Sequence, residues 1–168
     1  EAQTPEALLV RRPVDWNGDE SQWRVRVVSN LYPAVEGVAV ADEPLAEDAT
    51  SRRDLFRTAP GVGFHEVVID TPEHLISFGE MTDDDAIELF DVFRERLAAI
   101  RATGSVESAL VFKNVGAAAG ASIEHAHSQI LATPLPAFEL GMEWRLSWEF
   151  YEREGISAFS RLIADEAA

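Results

Sequence analysis

The chain has 168 residues, no cysteine, 46% hydrophobic residues and a formal net charge of −16. Its length and apolar content predict one globular domain with a real core and exclude an intrinsically disordered chain. The acidic balance opposes nucleic-acid binding, and no apolar run approaches the roughly 20 residues of a membrane span. The lack of cysteine excludes a disulfide scaffold. With no signal-peptide pattern at the start, we expect a cytoplasmic protein that binds neither nucleic acid nor membranes.

The first half of the chain predicts two strands separated by a long loop. Trp23 to Val28 alternates apolar with charged residues, as a half-buried strand does, and Phe64 to Asp70 predicts a second strand. Between them, residues 41–60 are acidic and then mixed, contain two prolines and show no period. We therefore expect a loop, and loops of that length are usually functional or mobile.

A long helix is predicted next. Thr82 is placed to act as its N-cap, and the run Asp83 to Asp85 suits the positive end of a helix dipole. Apolar residues then recur at helical spacing, and Gly104 is a suitable stop. The recurring residues are Ala86, Phe90, Phe93, Leu97 and Ile100.

Two more strands and a second helix complete the pattern. Ala109 to Phe112 and His127 to Ala132 predict strands, and Pro134 and Pro136 break the chain before the helix. This order predicts an α+β fold, in which helices pack on one face of an antiparallel sheet.

The second helix carries an aromatic stripe and is expected to end near Gly155. Trp144, Trp148 and Tyr151 recur at helical spacing, which favours packing over a cofactor site. A subunit interface is the alternative, because Trp and Tyr are enriched at interfaces.

The most informative segment is the motif His125-Ala-His127-Ser-Gln129. Alternate side chains of a strand share a face, so the two imidazoles and the amide should point the same way. Upstream, the small-residue loop 112–122 offers backbone N–H groups that could close on an anion. With a net charge of −16, a phosphate must be held by local dipoles and a few cations. The combination suits phosphate chemistry, although a lone His-x-His is more often part of an ordinary surface strand.

A longer string carries a family resemblance. The string Asn114-x-Gly116-Ala-Ala-x-Gly120-x-Ser122-x-x-His125-x-His127-x-Gln129 resembles the active-site signature of galactose-1-phosphate uridylyltransferases. Their ADP-glucose phosphorylase-like relatives share it, and all belong to the histidine-triad superfamily. Further segments match in order, namely Arg26 to Val35, Gly63 to Ile69 and Thr71 to His74. The resemblance runs from about Thr4 to about Glu166 and implies a histidine-triad-like sheet; it is far less specific to the substrate.

The resemblance implies a covalent mechanism. The attacking histidine of the family matches His127, which would accept a nucleoside monophosphate from the α-phosphorus of a nucleotide sugar. An imidazole is substantially unprotonated near neutral pH, and its other ring nitrogen would donate to a backbone carbonyl, as in the family. Gln129 matches the family glutamine that donates to a non-bridging phosphate oxygen. Hydrolase branches carry histidine there, so Gln129 favours transfer to a phosphorylated acceptor over transfer to water.

The resemblance also implies substrate-binding residues. Asn114, Gly120 and Ser122 match phosphate-side positions of the family loop, and Asn30 matches a nucleoside-contacting residue. Without the resemblance, Asn30 would indicate only a turn. Lys113 is a candidate local cation, although a solvated lysine at the end of a strand is about as frequent.

The metal site is where the sequence departs from the family. Many members bind zinc through two cysteines and two histidines, and the histidines map to His74 and His125. The chain has no cysteine, and the family's pair would fall just before Glu1. Zinc prefers four tetrahedral ligands, so two histidines make a poor site and we expect little or no zinc.

A second departure lies in the C-terminal segment. Residues 1–136 are predicted to form the histidine-triad-like nucleotidyltransferase domain, and residues 137–168 a helical segment resembling the start of the family's second half-domain. Ser157 and Ser160 replace family cysteines there, and serine is no substitute for a thiolate zinc ligand. Two alternatives stay open: a fragment, or a shortened form that completes its site across a homodimer.

The sequence thus predicts a nucleotidyltransferase of galactose and related carbohydrate metabolism. Its expected partners are a nucleotide sugar and a sugar 1-phosphate. One alternative is an ADP-sugar or dinucleotide phosphorylase, which the turn at Asn30 and the serine at Ser128 resemble somewhat more closely. Another is a catalytically silent nucleotide-binding domain, favoured by the missing second half and the lost cysteines.

Overall fold

The structure is a computed structural model that describes residues 6–37, 60–75, 78–119, 125–135 and 138–167. Within these residues, five strands and three α-helices follow one another. They are β1 (Ala7–Arg11), β2 (Val25–Ser29), β3 (Phe64–Ile69), α1 (Asp83–Ala102), β4 (Ser108–Phe112), β5 (His127–Thr133), α2 (Phe138–Glu154) and α3 (Ala158–Glu166). The predicted loop at residues 41–60 lies, except for Pro60, outside the described residues. None of the described helices is long and apolar enough to cross a membrane.

The five strands form one antiparallel sheet in the order β1-β2-β3-β5-β4. The α+β prediction is therefore confirmed. Strand β5 lies between β3 and β4, so the strand that carries His127 and Gln129 is in the interior of the sheet, where hydrogen bonds on both edges hold it. The chain divides into two compact units, residues 1–134 with the sheet and residues 135–168 with the last two helices.

Side-chain alternation gives the sheet two faces. One face packs on α1, where Val27, Val68 and Ile130 of the sheet join Leu89 and Val92 of the helix in a core of fully buried side chains. Residues one position along each strand point the other way. We call the first the helix face and the second the motif face, because the latter carries the residues of the His-x-His-x-Gln motif.

Helix α1 begins as the sequence predicts. The backbone N–H of Asp85 donates to Thr82 Oγ1 at 3.2 Å, and the Thr82 hydroxyl donates back to Asp85 Oδ2 at 2.5 Å. Thr82 is thus the N-cap, in a reciprocal arrangement that satisfies an orphan donor of the first turn. The helix ends at Ala102, and Gly104 follows with a positive φ of 69°.

Charged side chains on the helix face are paired. Glu66 of β3 is 3% exposed and receives two hydrogen bonds from Arg96 of α1, at 2.9 Å from Nε and 2.5 Å from Nη2. The carboxylate of Glu66 raises the pKa of Arg96 still further above its ordinary value. Arg24, just before β2, donates to Asp85 in the first turn of α1 at 2.8 Å. These contacts fix α1 across the sheet in one register.

The second unit contains α2 and α3. Helix α2 ends at Glu154, just before Gly155, as predicted. Its aromatic rings lie against one another, with centroids 6.2 Å apart for Trp144 and Trp148 and 5.9 Å apart for Trp148 and Tyr151. Each of the three remains about half exposed or more.

The first strand was not predicted. Strand β1 has the sequence Ala-Leu-Leu-Val-Arg, which lacks polar alternation, and it becomes a strand because β2 offers it a free edge. The pairing of β1 with β2 depends on a neighbour that a local pattern does not reveal. Helix α3 lies within residues 137–168, which were predicted to be helical, but its start after Gly155 as a separate helix was not predicted.

Candidate active site

The motif occupies the start of β5 on the motif face. His127 lies opposite Ile69 of β3, and Gln129 lies opposite Val67 of β3 and Phe112 of β4. Their side chains therefore share a face, as the period of two predicts. Ser128, between them, points to the helix face.

His127 is held by its own chain. Its Nδ1 lies 2.9 Å from the backbone carbonyl oxygen of His125, and the residue is 5% exposed. A carbonyl only accepts, so Nδ1 carries the proton and Nε2 carries the lone pair of the neutral ring. This is the hydrogen bond that the resemblance implies for the attacking histidine.

Gln129 lies in a cluster with two other polar side chains. His65 Nε2 is 2.9 Å from Gln129 Oε1, and Asn30 Nδ2 is 3.5 Å from the same oxygen. The backbone N–H of Ala34 donates to the other ring nitrogen of His65 at 2.9 Å. The structure thus brings Asn30 and Gln129 together, although they lie 99 residues apart.

Sequence reasoning assigned no role to His65. The residue stands in a segment that matches the family, and period-two alternation places it on the same face as Val67. Its proximity to Gln129 depends on the β3–β5 register, where the two residues are diagonal neighbours, and that register is not readable from either strand alone.

Asn30 forms a turn at the end of β2. Its Oδ1 accepts from the backbone N–H of Tyr32 at 2.9 Å, and its own N–H donates to the carbonyl of His65 at 2.8 Å. The first bond is an Asx turn, which fixes the direction of the amide. Asn30 therefore both forms the turn and lies next to Gln129.

Lys113 makes an ion pair with Asp70, whose side chain is fully buried. The same Asp70 oxygen accepts from the Ser128 hydroxyl at 3.2 Å. Ser128 points away from the motif face, so the lysine charge is used on the helix side of β5. The structure does not bring Lys113 into the cluster of Asn30, His65 and Gln129.

The loop upstream of the motif is described in part. Asn114 lies two residues beyond the end of β4, and Gly116 has a φ of 79°, a left-handed conformation that glycine adopts without strain. The predicted phosphate-side residues Gly120 and Ser122 lie outside the described residues.

His74 and His125 come close to each other. Their ring centroids are 4.7 Å apart in an edge-to-face arrangement, and His125 Nε2 donates to the carbonyl of Thr71 at 2.5 Å. Among the described residues, no group of three or more His, Cys, Asp or Glu side chains is placed to hold a metal ion. The residues described do not supply the four ligands that a structural zinc ion requires.

The chain matches a known protein family over most of its length. Residues 2–136 match the model of the galactose-1-phosphate uridyl transferase N-terminal domain. The chain belongs to this family. The resemblance stated from the motif is thereby confirmed, and the family is one of nucleotidyltransferase enzymes.

Relatives in the family carry two different names. The chain is 38% identical over 119 residues to ADP-glucose phosphorylase of Arabidopsis thaliana. The matched residues make up 69% of this chain and 32% of that protein. It is also 32% identical over 105 residues to galactose-1-phosphate uridylyltransferase of Streptomyces lividans. That match makes up 62% of this chain and 29% of the relative.

A solved structure agrees with this relationship. The crystal structure of an ADP-glucose phosphorylase from Arabidopsis thaliana with bound ADP-glucose superposes with a TM-score of 0.65 at 29% identity. The match covers 91% of this chain and 43% of that one. The chain thus spans less than half the length of the relatives it matches.

Proposed function

We propose that the chain carries the nucleotide-transfer site of a galactose-1-phosphate uridylyltransferase-type enzyme. A nucleoside monophosphate moves between a nucleotide sugar and a sugar 1-phosphate through a nucleotidyl-His127 intermediate. His127 Nε2 attacks the α-phosphorus, an N–P bond forms, and the P–O bond to the β-phosphate breaks with its electron pair leaving on the sugar 1-phosphate. An acceptor phosphate then attacks the same phosphorus and frees the ring.

The observation that carries the proposal is the fixed tautomer of His127. Because Nδ1 donates to the His125 carbonyl at 2.9 Å, the lone pair is on Nε2 and no general base is needed to create it. The ring would become cationic when it bonds to phosphorus, and the carbonyl oxygen of His125 would stabilise that positive charge.

The neighbouring polar groups support a phosphate and nucleoside position beside His127. Gln129 would donate its amide N–H to a non-bridging oxygen, where charge builds in the transition state. Asn30, in the turn next to Gln129, would contact the nucleoside. Asn114, Gly120 and Ser122 complete the proposed phosphate side, whereas Lys113 supports β5 through Asp70.

A second candidate is an ADP-sugar phosphorylase. The 38% identity to an ADP-glucose phosphorylase and the ADP-glucose in a related structure favour it. The chemistry at His127 would be the same. The difference lies in the base, adenine or uracil, and in the acceptor, inorganic phosphate or a sugar 1-phosphate.

Intact-protein mass spectrometry tests the proposal. The chain is incubated separately with UDP-glucose and ADP-glucose, and its mass is recorded before and after acid treatment, which cleaves phosphorus–nitrogen bonds. We expect an acid-labile gain of one nucleoside monophosphate, and the added mass identifies the base. Binding of both nucleotide sugars without a covalent gain would instead favour a silent nucleotide-binding domain.

The acceptor is tested by isotope exchange. With Gln129 in place of a third histidine, label should pass between nucleotide sugar and sugar 1-phosphate much faster than free nucleoside monophosphate is released. Inorganic phosphate is run in parallel to detect a phosphorylase. Gln129→His should shift the balance toward hydrolysis. Rapid hydrolysis without exchange by the unaltered chain would contradict transfer.

We also propose that the 168-residue chain holds little or no zinc. The ring of His125 is engaged with the Thr71 carbonyl, and His74 is the one imidazole beside it among the described residues. Elemental analysis after dialysis checks this, with His74→Ala as the control. Stoichiometric zinc that survives dialysis would mean that further residues complete a site.

A further inference from the structure

We infer that His65 is a positioning residue that orients the side-chain amide of Gln129. It holds the Gln129 carbonyl oxygen toward β3, so that the NH₂ group is the end presented to a ligand. The functional half of this inference rests on the proposed phosphate-transfer role of Gln129. The orientation itself follows from the hydrogen bonds alone.

The first step is the tautomer of His65. The backbone N–H of Ala34 lies 2.9 Å from His65 Nδ1. A backbone N–H can only donate, so Nδ1 accepts and carries no proton. The proton of the neutral ring is therefore on Nε2.

The second step is the direction of the Gln129 amide. His65 Nε2–H points to Gln129 Oε1 at 2.9 Å, and this contact is a hydrogen bond only if the carbonyl end of the amide faces the ring. An amide turned by 180° would place NH₂ against an N–H donor. His65 thus selects one of the two amide orientations.

Asn30 adds to the same selection. Its Nδ2 lies 3.1 Å from His65 Nε2 and 3.5 Å from Gln129 Oε1. Two N–H groups cannot bond to each other, so the Asn30 amide donates to the Gln129 oxygen. Since Asn30 Oδ1 accepts from Tyr32, its NH₂ end is fixed as well.

The chemical consequence concerns the phosphate. A phosphate oxygen needs a donor, and a carbonyl oxygen in that place would repel it. Loss of an oxyanion donor costs about 10²- to 10³-fold in rate, and loss of a group that only orients such a donor costs roughly tenfold. We therefore expect His65→Leu to slow adduct formation roughly tenfold.

This arrangement links two parts of the site through one ring. Ala34 belongs to the turn that carries Asn30, the proposed nucleoside contact, and Gln129 is the proposed phosphate donor. His65 receives a hydrogen bond from the first and gives one to the second. Displacement of the turn would release the amide.

The structural arm of the test is nitrogen NMR of the full chain. Long-range proton–nitrogen correlation on labelled histidine distinguishes protonated from unprotonated ring nitrogens, with His65→Gln used to assign the signal. We expect an Nε2–H ring with unprotonated Nδ1 at neutral pH. An Nδ1–H ring would overturn the inference, whatever the activity.

The kinetic arm is a double-mutant cycle on the single-turnover rate of adduct formation. His65→Leu should lower the rate at saturating nucleotide sugar about tenfold, with little change in half-saturating concentration. In a Gln129→Ala background the same change should have almost no effect, because no amide is left to orient. His65→Gln keeps an N–H donor and should restore most of the rate.

Two outcomes separate this inference from its alternatives. An equal loss in both backgrounds, together with a lowered melting temperature, would mean that His65 is merely structural and would overturn its positioning role. If the unaltered chain forms no adduct with either nucleotide sugar, the proposed function fails. An Nε2–H ring in that case still supports the orientation of Gln129 by His65.

Discussion

The two faces of the sheet treat their polar residues in different ways. On the helix face, charges are neutralised by opposite charges, as Glu66 is by Arg96 and Asp70 is by Lys113. On the motif face, His127 and His65 are each tied at one ring nitrogen to a backbone group. A backbone bond fixes the proton on one nitrogen and leaves the other nitrogen for chemistry or for a neighbour.

Strand β5 contributes both to the paired charges of the helix face and to the proposed site on the motif face. Residues of β5 alternate between the faces, so Ser128 joins the buried charge network while His127 and Gln129 face the proposed ligand. Paired charges on the helix face hold the strand, and the strand in turn holds the ring of His127, the proposed nucleophile. Variants on each face should therefore fail differently.

The largest effect is expected on the motif face. His127→Ala removes the proposed nucleophile and should abolish the nucleotidyl adduct while leaving the melting temperature within a few degrees. His74→Ala serves as control and should alter stability or metal content more than adduct yield. Intact-protein mass spectrometry measures both variants. An adduct that persists in His127→Ala and maps to another residue would contradict the assignment.

On the helix face, Lys113→Met should destabilise the fold. It leaves Asp70 buried without its counter-charge, and breaking a buried ion pair costs about 3–5 kcal/mol. Urea unfolding at neutral pH measures the change. The double variant Lys113→Met with Asp70→Asn removes both charges and should recover most of the loss. Equal stability of Lys113→Met and the unaltered chain would mean that the pair contributes nothing.

Just before β3, Gly63→Ala should strain the backbone that leads into the strand, and β3 contributes side chains to both faces of the sheet. An added Cβ would lie 2.0 Å from the carbonyl oxygen of Ala132, at a backbone φ of 147°. Overpacking against fixed backbone costs about 1–3 kcal/mol, and the strain would fall two residues from His65. Gly61→Ala is the matched control, because its Cβ meets nothing closer than 3.5 Å. Comparable melting temperatures for the two variants would refute the contact.

The smallest effect is expected at the N-cap of α1, at the exposed start of the helix. Thr82→Ala should cost about 1 kcal/mol at neutral pH, by urea unfolding. The Thr82 hydroxyl lowers the pKa of Asp85, with Arg24 adding to the effect. A depressed carboxyl pKa stabilises the fold above the unfolded value of about 3.9 and loses that contribution as pH falls through the folded value. The difference between variant and unaltered chain should shrink below about pH 4; a constant difference would rule out this coupling.

Local patterns predicted strands β2 to β5, helices α1 and α2, and the shared face of His127 and Gln129, because strand alternation and helix capping are properties of a few neighbouring residues. Contacts across the sheet could not be predicted in the same way. Asp70 meets Lys113 from 43 residues away, so a cation that looked available for phosphate is used elsewhere. His65 meets Gln129 through a strand register that neither sequence segment encodes alone.

The hydrogen bond from His127 to the carbonyl of His125 has a consequence for proton transfer. In the proposed reaction, the ring's proton would stay on Nδ1 when phosphorus bonds to Nε2 and when it leaves, so neither half-reaction would move a proton to or from the imidazole. The ring would be neutral before phosphorus bonds to Nε2 and cationic while phosphorus is bound. An exchange built this way should show little solvent deuterium effect on its chemical steps, and its direction would be set by the concentrations of the two phosphate compounds.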